Sequence, residues 1–196
     1  AEIYYPVSST INRLKIRKLN SSYACAFHPW VQVQTNTGTA SGKLYVPPSV
    51  AAIGAFARST SQSELWFAPA GFTRGGLSPL GGVGGPRVVN VRDALSSKDR
   101  DNLYKININP IASFPGEGIV IFGQAFPSAL DRINVRRLLI FLKHELSNIS
   151  RRLLFEPNVQ VTWNRFKSEA DGVLSNVQAN LGVTEYKIVL DESTTT

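Results

Sequence analysis

The sequence predicts an α+β protein: a mixed sheet flanked by helices, with two long amphipathic helices in the C-terminal half. Three observations carry this. Short β-rich runs bounded by Gly, Pro and Asn occupy the N-terminal part of the chain. Two stretches with a 3.6-residue apolar period follow, near residues 130–155 and 161–181. The chain has 196 residues, 43% of them hydrophobic and 18% charged, which is a globular composition.

Residues Leu14 to Leu19, LKIRKL, alternate apolar and basic side chains, so a strand with one wet, positive face is expected. From Tyr23 the chain reads YACAFHPWVQVQ, and the alternation of Val31 and Val33 with Gln32 and Gln34 predicts a second strand. TNTGTASG, residues 35–42, reads as a turn or hairpin loop. After Pro47 and Pro48, Ser49 is placed to cap a short helix, VAAIGAFAR. Proline is tolerated there because its missing N–H had no helical partner. WFAPAGFTRGG leads into a Gly-rich tract, residues 75–86, read as an inter-domain or flexible loop. The tract lacks the Gly-Lys-Ser/Thr sequence and the strand–helix frame of a phosphate loop. Ser96 or Ser97 caps a helix through KDRDNLYKI, with Asp99 and Asp101 near its start, where the helix dipole favours anions. SFPGEG is a turn, and Ile119 to Phe122 a strand whose IVIF run is suited to burial on both faces.

A long helix is expected from about Leu130 to Phe155, stopped by Pro157. At steps of about 100° per residue, Val135, Leu138, Leu139, Leu142, Leu146, Ile149 and Leu153 form one apolar stripe. The opposite face carries Arg136, Arg137, Lys143, His144 and Arg151, interrupted by Ile133, Ile140 and Phe141. A surface helix normally hides apolar residues on one side only, so the interruptions point to a second contact. A second helix starts near Val161 or Thr162 and ends before Gly182, a C-terminal cap. Its stripe is Trp163, Phe166, Ala170, Val173, Leu174, Val177 and Leu181; Arg165 lies on the polar side, and Gly172 weakens the helix. Glu185 to Asp191, EYKIVLD, alternates like a half-buried strand. ESTTT reads as the start of a linker, and the absence of Met fits either a trimmed initiator or a piece of something longer.

The net charge is +7 with a pI near 9.8, which favours acidic partners: nucleic acid, an anionic membrane or an acidic protein face. The single cysteine, Cys25, rules out an internal disulfide and reads as a small buried hydrophobe. No stretch approaches the roughly 20 apolar residues of a membrane span, and the N-terminus lacks signal-peptide character. Cys25 and His28 have a C-x-x-H spacing but no second pair completes a zinc shell. The Ser-rich stretches show no nucleophile elbow, and the two histidines, His28 and His144, lie on different elements. Asp99 and Asp101 are helix-start charges rather than paired catalytic carboxylates. No catalytic, metal or cofactor site is therefore assigned. A basic nucleic-acid-binding domain is the alternative reading, although Trp30, Trp66 and Trp163 sit in core-like contexts rather than on a stacking surface.

The ordered set VPPSVAAIGAFAR, WFAPAG, NINPIASFPGEGIVIFGQ, INVRRLLIFLKHEL, FEPN and TW resembles the sheath proteins of contractile phage tails and the related sheaths of R-type pyocins. The resemblance covers about Tyr23 to Glu192. It implies a structural subunit with no enzymatic activity, cofactor or small-molecule substrate. Such subunits polymerise in helical rings with copies of themselves around a tail tube protein. They meet baseplate and tail terminator proteins and contract to drive the tube through the host envelope for genome ejection. The implied location is the virion tail, after assembly in the host cytoplasm, with no membrane partner. Residues 1–86 would be the end of a middle, subtilisin-like sheath domain, and 87–196 the C-terminal inner domain without its terminal arm strand. The resemblance makes Arg136, Arg137, Lys143 and Arg151 on the first long helix, and Arg165 and Lys167 on the second, the candidates for subunit or tube contact. It also marks departures: AFPSALDR stands where the family has an Arg-Thr-Leu-like run, and the longer N-terminal portion and final apolar strand are not in this sequence.

Overall fold

The computed structural model describes residues 6–37, 40–77 and 87–191. It contains two compact units, residues 1–136 and 137–196. The first is a mixed sheet system with helices and the second is helical, so the α+β class stands.

The chain opens with helix α1, Val7–Arg17, where LKIRKL was expected as a strand. Val7, Ile11 and Leu14 recur at helical spacing and pack on Leu95, Leu103 and Ile108. That burial outweighs the local two-residue alternation, and it leaves Ile16 78% exposed among cations. The apolar run from Tyr23 is not one strand but two: β1, Ala26–His28, and β2, Val31–Thr37, which join different sheets. Pro29, without an N–H, separates them. Strand β3, Ala40–Val46, pairs antiparallel with β2, so the loop expected over 35–42 is too long: 35–37 and 40–42 are paired strand, and residues 38 and 39 lie outside the described residues.

Helix α2, Pro48–Gln62, begins earlier and ends later than expected. Pro47 is the N-cap and Ser49 lies inside the first turn, so Ser49 is not the cap. Ala51, Ala52 and Ala55 bring the helix close to the core of Val31, Leu77, Val88, Ile111 and Ile121. Arg58 is buried on the same helix and donates to the carbonyls of Arg74, at 3.3 Å, and Gly76. This anchors the segment after the short helix α3, Gly71–Arg74.

The expectation of a loop at 75–86 holds neither for Gly75 nor for its next two neighbours. Leu77 donates to the carbonyl of Ile119 at 2.7 Å, Ile121 donates to that of Gly75 at 2.8 Å, and Val88 donates to that of Leu77 at 3.0 Å. Gly75 has no room for a side chain: a Cβ there would stand 2.7 Å from the Ile121 carbonyl oxygen. Residues 78–86 lie outside the described residues. Segment 75–77 thus links strand β4, Val88–Val91, to strand β6, Gly118–Ile121. The sheet orders are β3-β2-β4 and β1-β5-β6, where β5 is Ile108–Phe114, parallel to β1 and antiparallel to β6. Both sheets draw strands from either side of residue 86.

Helix α4, Ser97–Tyr104, starts as read. Asp99 N–H donates to Ser96 Oγ at 3.2 Å, and Ser96 N–H donates to Asp99 Oδ2 at 3.1 Å, a reciprocal capping box. Strand β5 takes in residues with no element assigned from the sequence, and it includes Ser113 and Phe114, expected in the SFPGEG turn. Asn109 is fully buried, donating to the carbonyls of Ala26 at 3.1 Å and Ala125 at 3.0 Å and accepting from Ala125 N–H at 2.6 Å. Gly123 stands against it; a Cβ there would lie 3.0 Å from Asn109 Oδ1. In β6, Ile119, Val120 and Ile121 are buried, but Phe122 follows the strand and is 42% exposed.

Helix α5, Ile133–Arg152, starts in the first unit and continues through the second, shorter at both ends than expected. In the second unit it buries Leu138 and Ile149; helix α6, Gln160–Ala179, buries Ala170 and Val177. Leu181, not Gly182, adopts the left-handed cap conformation, at φ 60, and is 80% exposed rather than part of the stripe. Gly182 N–H closes the cap on the Val177 carbonyl at 2.8 Å, with Leu181 N–H on that of Gln178 at 3.0 Å. Residues 185–190 alternate exposed and half-buried as read, but belong to no sheet among the described residues. Tyr186 Oη instead donates to Asp171 Oδ1 at 2.7 Å, which ties the segment to α6.

Replacing Asn109 with Ala strands a buried donor and two carbonyls, so urea unfolding should show a loss of about 3 kcal/mol or more. Gly172→Ala meets no atom within 4 Å of the new Cβ. That variant should gain about 0.5–1 kcal/mol, read as a higher melting temperature. His28 is 4% exposed, and burial lowers its pKa from 6.5 to about 4. Asp93, 3.8 Å from Nε2, is too far for a hydrogen bond, and its own carboxyl is raised by burial, so it does not rescue the imidazolium. The unfolded chain therefore takes up this proton first. Stability should be lost as pH falls from about 6.5 to about 4, by up to about 3 kcal/mol, with a flatter profile in His28→Gln.

Candidate interface surfaces

No group of three or more His, Cys, Asp or Glu side chains that could hold a metal ion occurs among the described residues. No helix among them is long and apolar enough to cross a membrane. Asp99 is occupied by its capping box, whose hydroxyl and N–H hydrogen bonds from Ser96 hold its carboxyl below the usual range. Both units carry basic and apolar faces.

The six basic candidates fall into distinct environments. Arg136, in the first unit, is half-buried: its guanidinium lies 4.4 Å from the centroid of the Tyr23 ring, and it donates to Tyr23 Oη at 3.3 Å and to Ser22 Oγ. Arg137 is also half-buried, and burial lowers its pKa. Lys143 and Arg151 are exposed, and no carboxylate among the described residues forms an ion pair with either. With Ile140, 48% exposed, and His144 they share one face of α5. The interruptions of the basic face need correcting: Ile133 is buried and Phe141 half-buried, so Ile140 alone of the three is open there. Phe141 turns toward the covered side because it sits about 60° from Leu138 at helical steps. On α6, Arg165 is exposed but paired with Glu169 at 3.5 Å, and Glu169 also takes Arg152 at 3.1 Å. Lys167 is half-buried at the rim of an open cleft with Asp171, Glu185 and Tyr186.

The excess charge is unevenly placed. Residues 1–136 hold 14 Lys and Arg against 7 Asp and Glu, while residues 137–196 hold 7 of each. Helix α1 and its cap contribute Arg13, Lys15, Arg17 and Lys18, a basic cluster the strand reading did not single out as a site. Two exposed apolar surfaces also escaped the sequence reading. One joins Phe72 of α3, Phe114 of β5 and Phe122 just after β6, which carry no common period. The other is the α5–α6 turn, where Leu154 is 63% exposed and Phe155 fully so. Its signal was available: two large apolar residues directly before a proline-terminated turn.

No family model matches the chain. Curated relatives do. The chain is 39% identical over 153 residues to a tail sheath protein of Vibrio phage KVP40, covering 76% of this chain and 22% of that protein. It is 33% identical over 156 residues to the tail sheath protein of Enterobacteria phage T4, covering 78% of this chain and 22% of the relative. A tail sheath protein of Salmonella phage ViI is 30% identical over 157 residues. The chain thus spans less than a quarter of the length of these relatives. Among solved structures, the sheath complex of an extracellular contractile injection system in its contracted state aligns over 96% of this chain and 49% of its own, at a TM-score of 0.76 and 19% identity, a likeness of fold. The contracted helical sheath of the anti-feeding prophage aligns over 79% of this chain and 40% of its own, at a TM-score of 0.63 and 25% identity. Matches to the tail sheath proteins of three phages, each over about three quarters of this chain, relate it to tail sheath proteins, and the contracted sheath structure shares its fold over 96% of the chain.

Proposed function

We propose that the chain is a portion of a structural subunit of a contractile tail sheath, a virion tail component assembled in the host cytoplasm. The subunit polymerises with copies of itself around the inner tube, meets baseplate and terminator proteins at its ends, and shortens to drive the tube through the host envelope. The observation that carries this is the 39% identity to a tail sheath protein over 153 residues. The fold supports a mechanical role, because the buried Asn109 amide cross-braces the first unit from within. The nucleic-acid alternative has no relative in its support.

Within this reading, residues 1–86 are the end of the middle sheath domain and residues 87–196, which include α5 and α6, form the inner layer. Lys143 and Arg151 are the best placed of the six candidates to meet an acidic tube, being exposed on one face and free of carboxylate partners among the described residues. A charged contact of this kind releases and re-forms as rings move, whereas a broad apolar contact resists release. Arg165 would first have to leave Glu169, and Arg136 is engaged with Tyr23.

Charge reversal tests the ranking. In the intact subunit, Lys143→Glu with Arg151→Glu should weaken co-assembly with the tube at least tenfold, more at low salt than at high, and leave the melting temperature within a few degrees of wild type. Arg165→Glu with Lys167→Glu should weaken it less. The opposite order, measured by co-sedimentation, would move the tube contact to α6.

A further inference from the structure

Two exposed surfaces of this chain complement each other, although they lie in different units. The first is concave and belongs to the first unit. Phe72, Phe114 and Phe122 form a ring cluster with centroids 5.0 to 5.8 Å apart. Phe72 is 50% exposed and Tyr104 49%. The Arg100 guanidinium lies 5.0 Å from the centroid of Phe114 and donates through one nitrogen to the Leu95 carbonyl at 3.1 Å, which fixes it over the rings. Arg100, Asp101, Tyr104, Lys105, Pro110 and Phe122 line an open pocket of about 450 Å³. Aromatic rings with an arginine are the composition of an interface hot spot.

The second surface is convex and belongs to the second unit. In the turn between α5 and α6, Leu154 is 63% exposed, Val159 48% and Val161 78%, and Phe155 is wholly in solvent. Phe155 has φ 70, a left-handed conformation that disfavours any residue but glycine. This conformation closes the turn after α5, as Lys18 and Leu181 close α1 and α6, and it leaves the ring in solvent. The next residue, Glu156, is exposed and supplies a carboxylate.

We propose that the α5–α6 turn of one copy docks into the Arg100 pocket of a second copy. Phe155 packs against Tyr104 and Phe122, and Glu156 pairs with Arg100 and Lys105. The occupant is argued from complementarity: an apolar tip with a carboxylate meets an aromatic pocket with two cations and one acid. A pocket of this volume takes one aromatic side chain with the carboxylate beside it. The two patches differ, so the contact is head-to-tail, and head-to-tail contacts that do not close build open helical arrays. The inference rests on the sheath reading, in which copies stack helically.

The test uses the intact subunit polymerised in vitro, with polymer measured by sedimentation and electron microscopy. One variant carries Arg100→Glu and Lys105→Glu, the other Glu156→Arg. Each alone should form at least tenfold less polymer than wild type while melting at the same temperature. An equal mixture of the two should polymerise again, because each variant's pocket then meets the other's tip. Phe155→Ser should weaken assembly in every combination. Should the Arg100 change unfold the protein, Lys105→Glu alone serves as the pocket variant, since Lys105 is exposed. Wild-type polymerisation by either charge variant, or a mixture of folded variants that stays unassembled, would overturn the contact and leave the sheath reading standing. Failure of the unaltered subunit to polymerise would remove both.

Discussion

The buried amide of Asn109 is the interaction on which the arrangement of the first unit depends. It bonds β1 through the Ala26 carbonyl and grips both backbone polar groups of Ala125. Removing these groups from water without partners would cost several kcal/mol, so the amide is either fully satisfied or ruinous. Being satisfied, it fixes three strands of chain at one point: β1, β5 and the segment running into α5. That segment closes on itself, with Phe126 N–H on the Asp131 carbonyl at 2.7 Å and Ile133 N–H on that of Gln124 at 3.0 Å. The first turn of α5 therefore leaves the sheet from a braced base.

The sheets are cross-linked by strands from both sides of the Gly-rich tract, and Leu77 is hydrogen-bonded to both β6 and β4. The first unit carries the entire net positive charge, and the second is neutral. In the second unit several charges are already spent on each other, as in the Arg152–Glu169–Arg165 cluster. Lys143 and Arg151 are exposed and have no carboxylate partner among the described residues, so any ionic contact they make is weakened by salt.

What the sequence made legible follows from where the determining forces act. The capping box at Ser96 and Asp99 is local, and the two long helices carry their period over many residues, so both were readable. Helix α1 was not, because Leu14 and Ile16 alternate with cations within LKIRKL while the deciding partners, Leu95, Leu103 and Ile108, lie far along the chain. Strand β5 was hidden because Asn109 and Pro110 disfavour strands by local propensity, while the parallel neighbour β1 and the buried amide bonds that accept them are distant in sequence. The basic candidates were found by type, but their local partners were not: Tyr23 beneath Arg136 and Glu169 beside Arg165 are tertiary facts. The resemblance to sheath proteins rested on six short motifs in order, and the relatives from three phages bear it out.

Helical reconstruction of the polymer formed by the intact subunit with its tube tests the central claim most directly. The account predicts a repeating array in which this fold recurs around a central cylinder, one copy per lattice point. Particles that remain single subunits beside the tube at every ionic strength, or an array in which this fold has no place, would contradict it.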